Sequence, residues 1–535
     1  MSMLSKAMNL FLRKTFKTAG LLLPSFAMAV LSISSPVVAA ATKTAEEAPK
    51  IFYANDGKFT RNTVTDLARK LAKKTYRKPN LTLPPSLKDL SYDEYRDIRF
   101  NPAAAIWKNE GLPFQMQLFH RGSYFKENVE IATVENGVAH HLRYSPDMFT
   151  TGKVMQKPLP TEDVGFSGLR LHNPLNTPNY FDEIAVFQGG SYFRSLGKNQ
   201  SYGLSSRGLA LKTADPEGEE FPTFRAFWIQ KPAKDSNSIV VYALLDSPST
   251  TGSYRFTLRP GDNTVMDIEA VLFPRVDLKK VGLAVGTSMF MFSSYDRDKV
   301  DDFRPQVHDS DGLLILNGRG ERLWRPLRNP AQLQVSAFMD NGPLGFGLLQ
   351  RNRDFKNYQD LEAQYERRPS LWAELVGNWG RGSVVLVEIP SDSEIHDNIV
   401  AYWSPKDPIP AGSEYHFAYR LLWGNAPTPH KGEAIVEGTR SGRASINGPT
   451  PNRLFVIDYR FPNTLPNIEK QMPKAIIKNS AGEVKNVVVQ ENKHNDGYRV
   501  TFELDPADAK LVELRMDLVF TDGRKAESWL YQWTK

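Results

Sequence analysis

Two short acidic segments carry the residue types needed for chemistry on a sugar chain. His308-Asp309-Ser310-Asp311-Gly312 precedes the apolar run 313–316, and Glu394-Ile395-His396-Asp397-Asn398 precedes the run 399–403. A pair of carboxyls can divide the acid and base duties of glycoside hydrolysis if one stays protonated and the other ionised. Trp324, Arg325, Tyr358, Trp372, Trp379 and Trp403 are interleaved with them. Aromatic faces stack on the apolar faces of sugar rings, and planar guanidinium groups bind oxygen-rich ligands with directed hydrogen bonds. From the residues alone, both segments also read as ordinary turns, because Asp, Asn, Ser and Gly are the residues that turns use. Each aromatic side chain also reads as core. The spacing and terminal Glu of a helix-loop-helix calcium site are missing from 308–312.

Other chemistries find no footing. The chain has no cysteine, which excludes thiol catalysis, structural disulfides and a lipid-anchored cysteine. It has no His-x-x-x-His pair, no Gly-x-Ser-x-Gly elbow, no phosphate-binding Walker loop and no Gly-x-Gly-x-x-Gly after a strand. Neither a metal nor a cofactor is expected. The formal net charge is +7, but Lys6, Arg13, Lys14 and Lys17 all fall within residues 1–41, and without these four it is +3. So small a charge, with no clustered basic face, argues against nucleic acid as a partner.

Residues 1–41 have the pattern of an export signal. A basic region ending at Lys17 leads into the apolar run 19–31, and small residues follow at Val38-Ala39-Ala40-Ala41. The run falls short of the ~20 residues a membrane span needs and contains Pro24, so cleavage is expected and the mature chain does not span a membrane. Arg13-Lys14 only distantly echoes a twin-arginine signal, so the general secretory route is favoured. An exported chain of 535 residues that dispenses with disulfides relies on a large core, as suits a bacterial periplasm.

The elements that must hold the acidic segments are mostly strands. Val64, Leu67, Ala68 and Leu71 share one face of a short amphipathic helix over 63–74. From about Leu81 onward helical periodicity gives way to short alternating runs broken by Gly, Pro, Asn and Asp. The run 265–273 puts Met266, Ile268, Ala270 and Leu272 on one face and Asp267 and Glu269 on the other. The class is all-β. A signal over 1–41, a large β-sandwich over 42–425, a Gly/Pro/Arg-rich linker over 426–447 and an immunoglobulin-like sandwich over 448–535 are expected. In the last of these, Glu513, Arg515 and Asp517 are expected to face water.

Six motifs carry a resemblance: Gly189-Gly190-Ser191-Tyr192-Phe193-Arg194, the run Tyr202 to Ala210, the run Arg304 to Leu313, Leu323-Trp324-Arg325-Pro326-Leu327, Gly345 to Arg351, and Arg368-Pro369-Ser370-Leu371-Trp372. Together they resemble the periplasmic glucan biosynthesis proteins of types G and D, closer to the G type, which serve synthesis of osmoregulated periplasmic glucans in Gram-negative bacteria. The resemblance implies a galactose-mutarotase-like large sandwich and a β-1,2-linked glucose backbone as ligand. Some family members resemble inverting endo-β-1,2-glucanases, which implies Asp397 as general acid, with Glu394 beside it, and Asp309 as base. An inverting pair stands ~6.5–9.5 Å apart or communicates through water. Burial and Glu394 are expected to raise the pKa of Asp397. His308, Asp311, Trp324, Arg325, Tyr358, Trp372, Trp403, Arg194 and Arg207 are the expected substrate contacts. A non-catalytic glucan-binding or assembly factor, working with an inner-membrane glucosyltransferase, stands as the rival, with the C-terminal domain as its docking module. Mutarotase activity has only fold analogy behind it.

Overall fold

The computed structural model describes residues 53–535 apart from 298–299, 430–431, 446–447, 449 and 462–471, so the expected export signal lies outside the described residues. Period-two patterning decides the architecture. In the strand Thr264–Pro274, Met266, Ile268, Ala270 and Leu272 are buried while Glu269 is exposed, because successive strand side chains point to opposite faces. Fifteen strands join one sheet and ten another, and the main core lies between them. Phe187, Phe193, Phe227 and Phe256 interlock there with ring centroids 5.1–5.6 Å apart. Each such buried ring contributes about 1.5–3 kcal/mol.

The expected helix runs Thr63–Ala72 and lays Val64, Ala68 and Leu71 on Trp228, Tyr242 and Phe273, outside the fifteen-stranded sheet. Among the described residues, no helix is long and apolar enough to cross a membrane.

The smaller sandwich begins earlier than its sequence suggests. The stretch 426–447, expected as a linker, contains the strand Ile435–Arg443, paired antiparallel with Arg453–Arg460. Its Gly, Ser and Arg content looked like a loop, yet Val436 and Thr439 are buried and Gly438 follows a register shift, so polar residues here fill an exposed face. With Gly497–Asp505 and Glu483–Asn492 this strand completes a four-stranded sheet. That sheet packs on the strands Lys474–Asn479, Leu511–Val519 and Ser528–Thr534 through Phe455, Phe502, Met516 and Trp529. Asp517, expected to face water, is instead buried and hydrogen-bonded by Arg515 and Ser528.

Among the described residues, the two sandwiches are joined by strand pairing. The strand Arg322–Pro326 pairs in parallel with Ser528–Thr534 through Leu323↔Ser528 and Trp324↔Trp529, so the large sheet continues from one unit into the other. Trp324 and Trp372, expected as sugar platforms, are buried in the core of the smaller sandwich with Phe455 and Trp529. Arg351 lies 3.5 Å over the Trp324 ring and grips Glu527 with both terminal nitrogens, at 2.7 and 2.8 Å. The Val436 N–H donates to the same carboxylate at 3.1 Å, and Arg322 stands 3.7 Å away. Burial alone would raise the Glu527 carboxyl, but Arg351 and Arg322 outweigh it and hold it below its ordinary value.

Replacing one partner of such a buried cluster strands the others without water. Glu527→Ala is therefore expected to destabilise the protein by about 3–5 kcal/mol, read as an earlier thermal transition in tryptophan fluorescence. A folded-state pKa below the unfolded one stabilises at neutral pH. That part of the stability is expected to fade as acid takes the pH below the ordinary carboxylate range, and Glu527→Ala flattens the acid limb of the profile.

Candidate active site

The outward-facing side chains of the ten-stranded sheet floor a cavity of about 870 Å³. Alternation places them there. In the strand Tyr192–Ser195, Phe193 enters the core while Tyr192 and Arg194 line the cavity, and in Tyr180–Gln188, Phe187 enters the core while Val186 and Gln188 line it. Arg207, from the strand Ser205–Arg207, stacks on Tyr192 at 4.8 Å and on Phe221 at 5.7 Å and pairs with Glu219 at 2.6 Å. Arg170 is likewise fixed, bonding Glu183 at 2.8 Å and Gln117 at 2.7 Å. Arg194 carries no ion pair of its own among the described residues.

Two walls come from loops and one from a helix. The helix Tyr92–Asp97 begins with a reciprocal cap between Ser91 and Glu94, which fixes Tyr92 and Tyr95 against the cavity. Opposite them stand Glu362, Ala363 and Arg368, then Ile389, His396 and Asp397. Ser205 Oγ and Asp397 Oδ1 are buried polar atoms of lining residues with no hydrogen-bond partner among the described residues. A buried polar group left unmet costs about 1–3 kcal/mol, so a hydroxyl-rich ligand has groups here to satisfy.

Burial raises the carboxyls of both Asp397 and Asp309, which differ in what surrounds them. Asp397 borders the cavity, and its pKa is pushed up to about 6 by burial first and then by the negative charge of Asp309, against the pull of Arg194, Arg207 and Arg368. Asp309 is fully buried, does not line the cavity, and is ion-paired with Arg368, while its Oδ2 lacks a partner. Burial lifts the Asp309 carboxyl above its ordinary value, and Arg368 offsets only part of that rise. The expected influence of Glu394 on Asp397 is replaced by that of Asp309. Glu394 is turned to Arg304 at 2.9 Å and accepts the Tyr365 hydroxyl at 3.1 Å.

Of the sequence's candidates, Asp397, Arg194 and Arg207 meet in the cavity. The others do not. His308 stacks on Phe290 and lies between Gln306 at 3.1 Å and Gln350 at 2.9 Å; burial lowers its pKa to about 4, so it is neutral. Asp311 Oδ2 accepts the N–H groups of Arg351 and Asn352 at 3.0 and 3.1 Å, which is a turn-fixing task. Arg325 pairs with buried Glu388 at 3.2 Å. Tyr358 is buried and donates its hydroxyl to the Asn352 carbonyl at 3.0 Å. Trp403 is enclosed in the main core, where its ring fills the space that a Cβ on Gly382 would need. Trp324 and Trp372 belong to the smaller sandwich, as above, and Trp379 packs on Phe417 and Tyr419. The largest rings were drawn into the cores because they remove most apolar area from water. Smaller rings took the cavity, among them Tyr192, Tyr202 and Phe149. The readable signal for these was the Tyr-x-Arg alternation at 192–194, inside a motif already noted. Arg368 also sat in such a motif, and its role depends on a contact with Asp309 that no spacing reveals.

The model of the family described as periplasmic glucan biosynthesis protein, MdoG, matches residues 59–533. Glucans biosynthesis protein G of Vibrio cholerae serotype O1 is 61% identical over 504 residues, covering 94% of this chain and 92% of that protein. Glucans biosynthesis protein G of Shewanella frigidimarina is 63% identical over 485 residues, covering 91% and 86%. Among solved structures, a Synechocystis protein aligns over 48% of this chain and 92% of its own at 7% identity and a TM-score of 0.15, which carries no argument. A family match over almost all of the described chain, with relatives at this identity, makes the protein a member of the MdoG family of periplasmic glucan biosynthesis proteins, on the G side, with a role in glucan biosynthesis.

Proposed function

We propose that the protein works in the periplasm on the β-1,2-linked glucose backbone, binding it in the 870 Å³ cavity and cleaving it internally with inversion, with Asp397 as proton donor. The observation that carries this reading is a carboxyl held near pKa 6 at the edge of a cavity furnished with tyrosines and arginines. Near neutral pH a useful fraction of Asp397 stays protonated and can pass its proton to the departing glycosidic oxygen. The arginines and polar lining atoms hold sugar hydroxyls, and the tyrosine and phenylalanine rings supply stacking faces.

Asp309 takes the role of base at one remove. On this reading, because it is buried behind Arg368, it receives the proton of the attacking water through intervening water rather than by direct contact. The same burial favours the second reading, a glucan-binding assembly factor acting beside a membrane glucosyltransferase. A base tied to a cation and out of reach of the cavity suits retention without turnover.

Incubating the mature protein with linear β-1,2-glucan separates the two. Chain shortening by the parent is expected, with a loss of about a hundredfold or more in Asp397→Asn while binding persists. Undiminished cleavage by that variant excludes Asp397 as the acid. Tight retention with no shortening by the parent supports the second reading.

Proton linkage offers a check that needs no substrate. The folded-state pKa of Asp397, about 6, lies above its ordinary value of 3.8, so the native state prefers the proton. This contribution to stability is complete below the ordinary value and is lost as pH rises through about 6. Asp397→Asn is therefore expected to gain thermal midpoint over the parent at pH well above 6, with the advantage shrinking below it. Asp309→Asn, which removes the like charge, is expected to move the parent's transition to lower pH, as followed by the protonated-carboxyl infrared band.

A further inference from the structure

A single guanidinium outside the cavity ties together two of the segments that wall it. Arg304 precedes the 308–312 turn, and its side chain is 14% exposed. Its Nε and Nη2 donate to the two oxygens of Asp302 at 3.0 and 2.8 Å. Its Nη1 reaches Asp360 at 2.8 Å and Glu394 at 2.9 Å. Three carboxylates from three separated segments thus share one cation.

Two of these partners lead directly to the site. Asp360 turns its other oxygen to the N–H groups of Glu362 and Ala363, at 3.0 and 2.8 Å, and both residues line the cavity. The Ala363 carbonyl accepts from Arg368 Nε at 3.1 Å, and Arg368 is the partner of Asp309. Glu394, which accepts the Tyr365 hydroxyl, stands three residues before Asp397. The first arm is also held under constraint: Gln359 and Gln364 have φ of 54° and 45°, the left-handed region that side chains other than glycine seldom occupy. Exposed ion pairs contribute little because water competes for them, but these four groups are mostly shielded, and one cation is their common tie.

We propose that Arg304 is a positioning residue for the site, clamping 359–364 to 391–397 and thereby setting the place of Asp397 against the Asp309–Arg368 pair. The assignment rests on the reading of Asp397 as proton donor, but the clamp itself is measured without turnover. Without Arg304, three negative charges face one another and the two segments part.

Hydrogen exchange on the mature protein tests this segment by segment. In Arg304→Met, exchange in both 359–364 and 391–397 is expected to rise by about tenfold, while the strand Ile435–Arg443 is unchanged. Glucan association weakens in the same variant, and Arg304→Lys, which keeps the charge but loses the fork, recovers part of it. Asp360→Asn is expected to loosen only 359–364, and Glu394→Gln only 391–397. These two decide the matter if Arg304→Met does not fold. Parent-like exchange in Arg304→Met, or the same response of both segments to both single-arm variants, overturns the clamp. Absence of cleavage by the parent would instead count against the hydrolytic reading and leave the exchange pattern to judge Arg304.

Discussion

A carboxylate that has lost its water must keep either a cation or a proton, and the two central carboxyls of this molecule resolve that choice in opposite ways. Asp309, fully buried, keeps a cation, Arg368. Asp397, at the cavity edge, holds its proton up to a pKa of about 6, through burial first and then through the negative charge of Asp309. Each depends on the other. An isolated buried carboxyl would be protonated and inert as a base, whereas one in open water would be ionised and useless as an acid at neutral pH.

Maintaining that asymmetry requires a dry and rigid backing, which the alternation of the strands provides. Phe187 and Phe193 of the floor strands belong to the aromatic core between the two sheets, so Tyr192 and Arg194 cannot shift without moving Phe193. The backing extends further than one sandwich. Because the large sheet runs on through the Trp324↔Trp529 pairing, and Arg351 joins Trp324 to Glu527, the smaller sandwich is fixed to the strands next to the 308–312 turn. Asp311 accepts the Arg351 N–H, which links that turn to the inter-sandwich contact. A C-terminal domain joined only by a linker over 426–447, as expected from the sequence, would have lacked this strand pairing to the large sheet.

Legibility in the sequence followed the physics of each feature. Strand alternation is local, so the run 265–273, the helix at 63–72 and the all-β class could be read directly. The acidic turns could also be found, because turn residues before apolar runs are a local signature, and one of the two proved to border the cavity. What escaped was non-local. Nothing in 426–447 separates a polar loop from a strand whose polar residues face water. Nor does the type of a tryptophan say which side of a strand will be covered; Trp324 and Trp372 became anchors of the smaller sandwich once a second layer closed over them. Burial, the larger cause of the Asp397 shift, agrees with the expectation, but the neighbouring charge does not: Glu394 is near in sequence, yet Arg304 and Tyr365 have claimed it, while Asp309, 88 positions away, acts through space.

Acid strength and base access oppose one another at this site. The contact with Arg368 restrains the rise that burial imposes on the Asp309 carboxyl, and the charge of Asp309 lifts the pKa of Asp397. The same contact occupies Asp309 and screens part of its charge from Asp397. Moving Arg368 away would free the base and leave its charge less screened, but it would also favour protonation of Asp309 in its dry setting, which removes the charge altogether. The arrangement is therefore useful only within a narrow range of Arg368 positions. Arg368 is held there by the Ala363 carbonyl, by the ring of Tyr365 at 4.3 Å and by Asp309 itself. On the hydrolytic reading proposed above, whether a glucan is cut or carried turns on how far its binding displaces this one guanidinium.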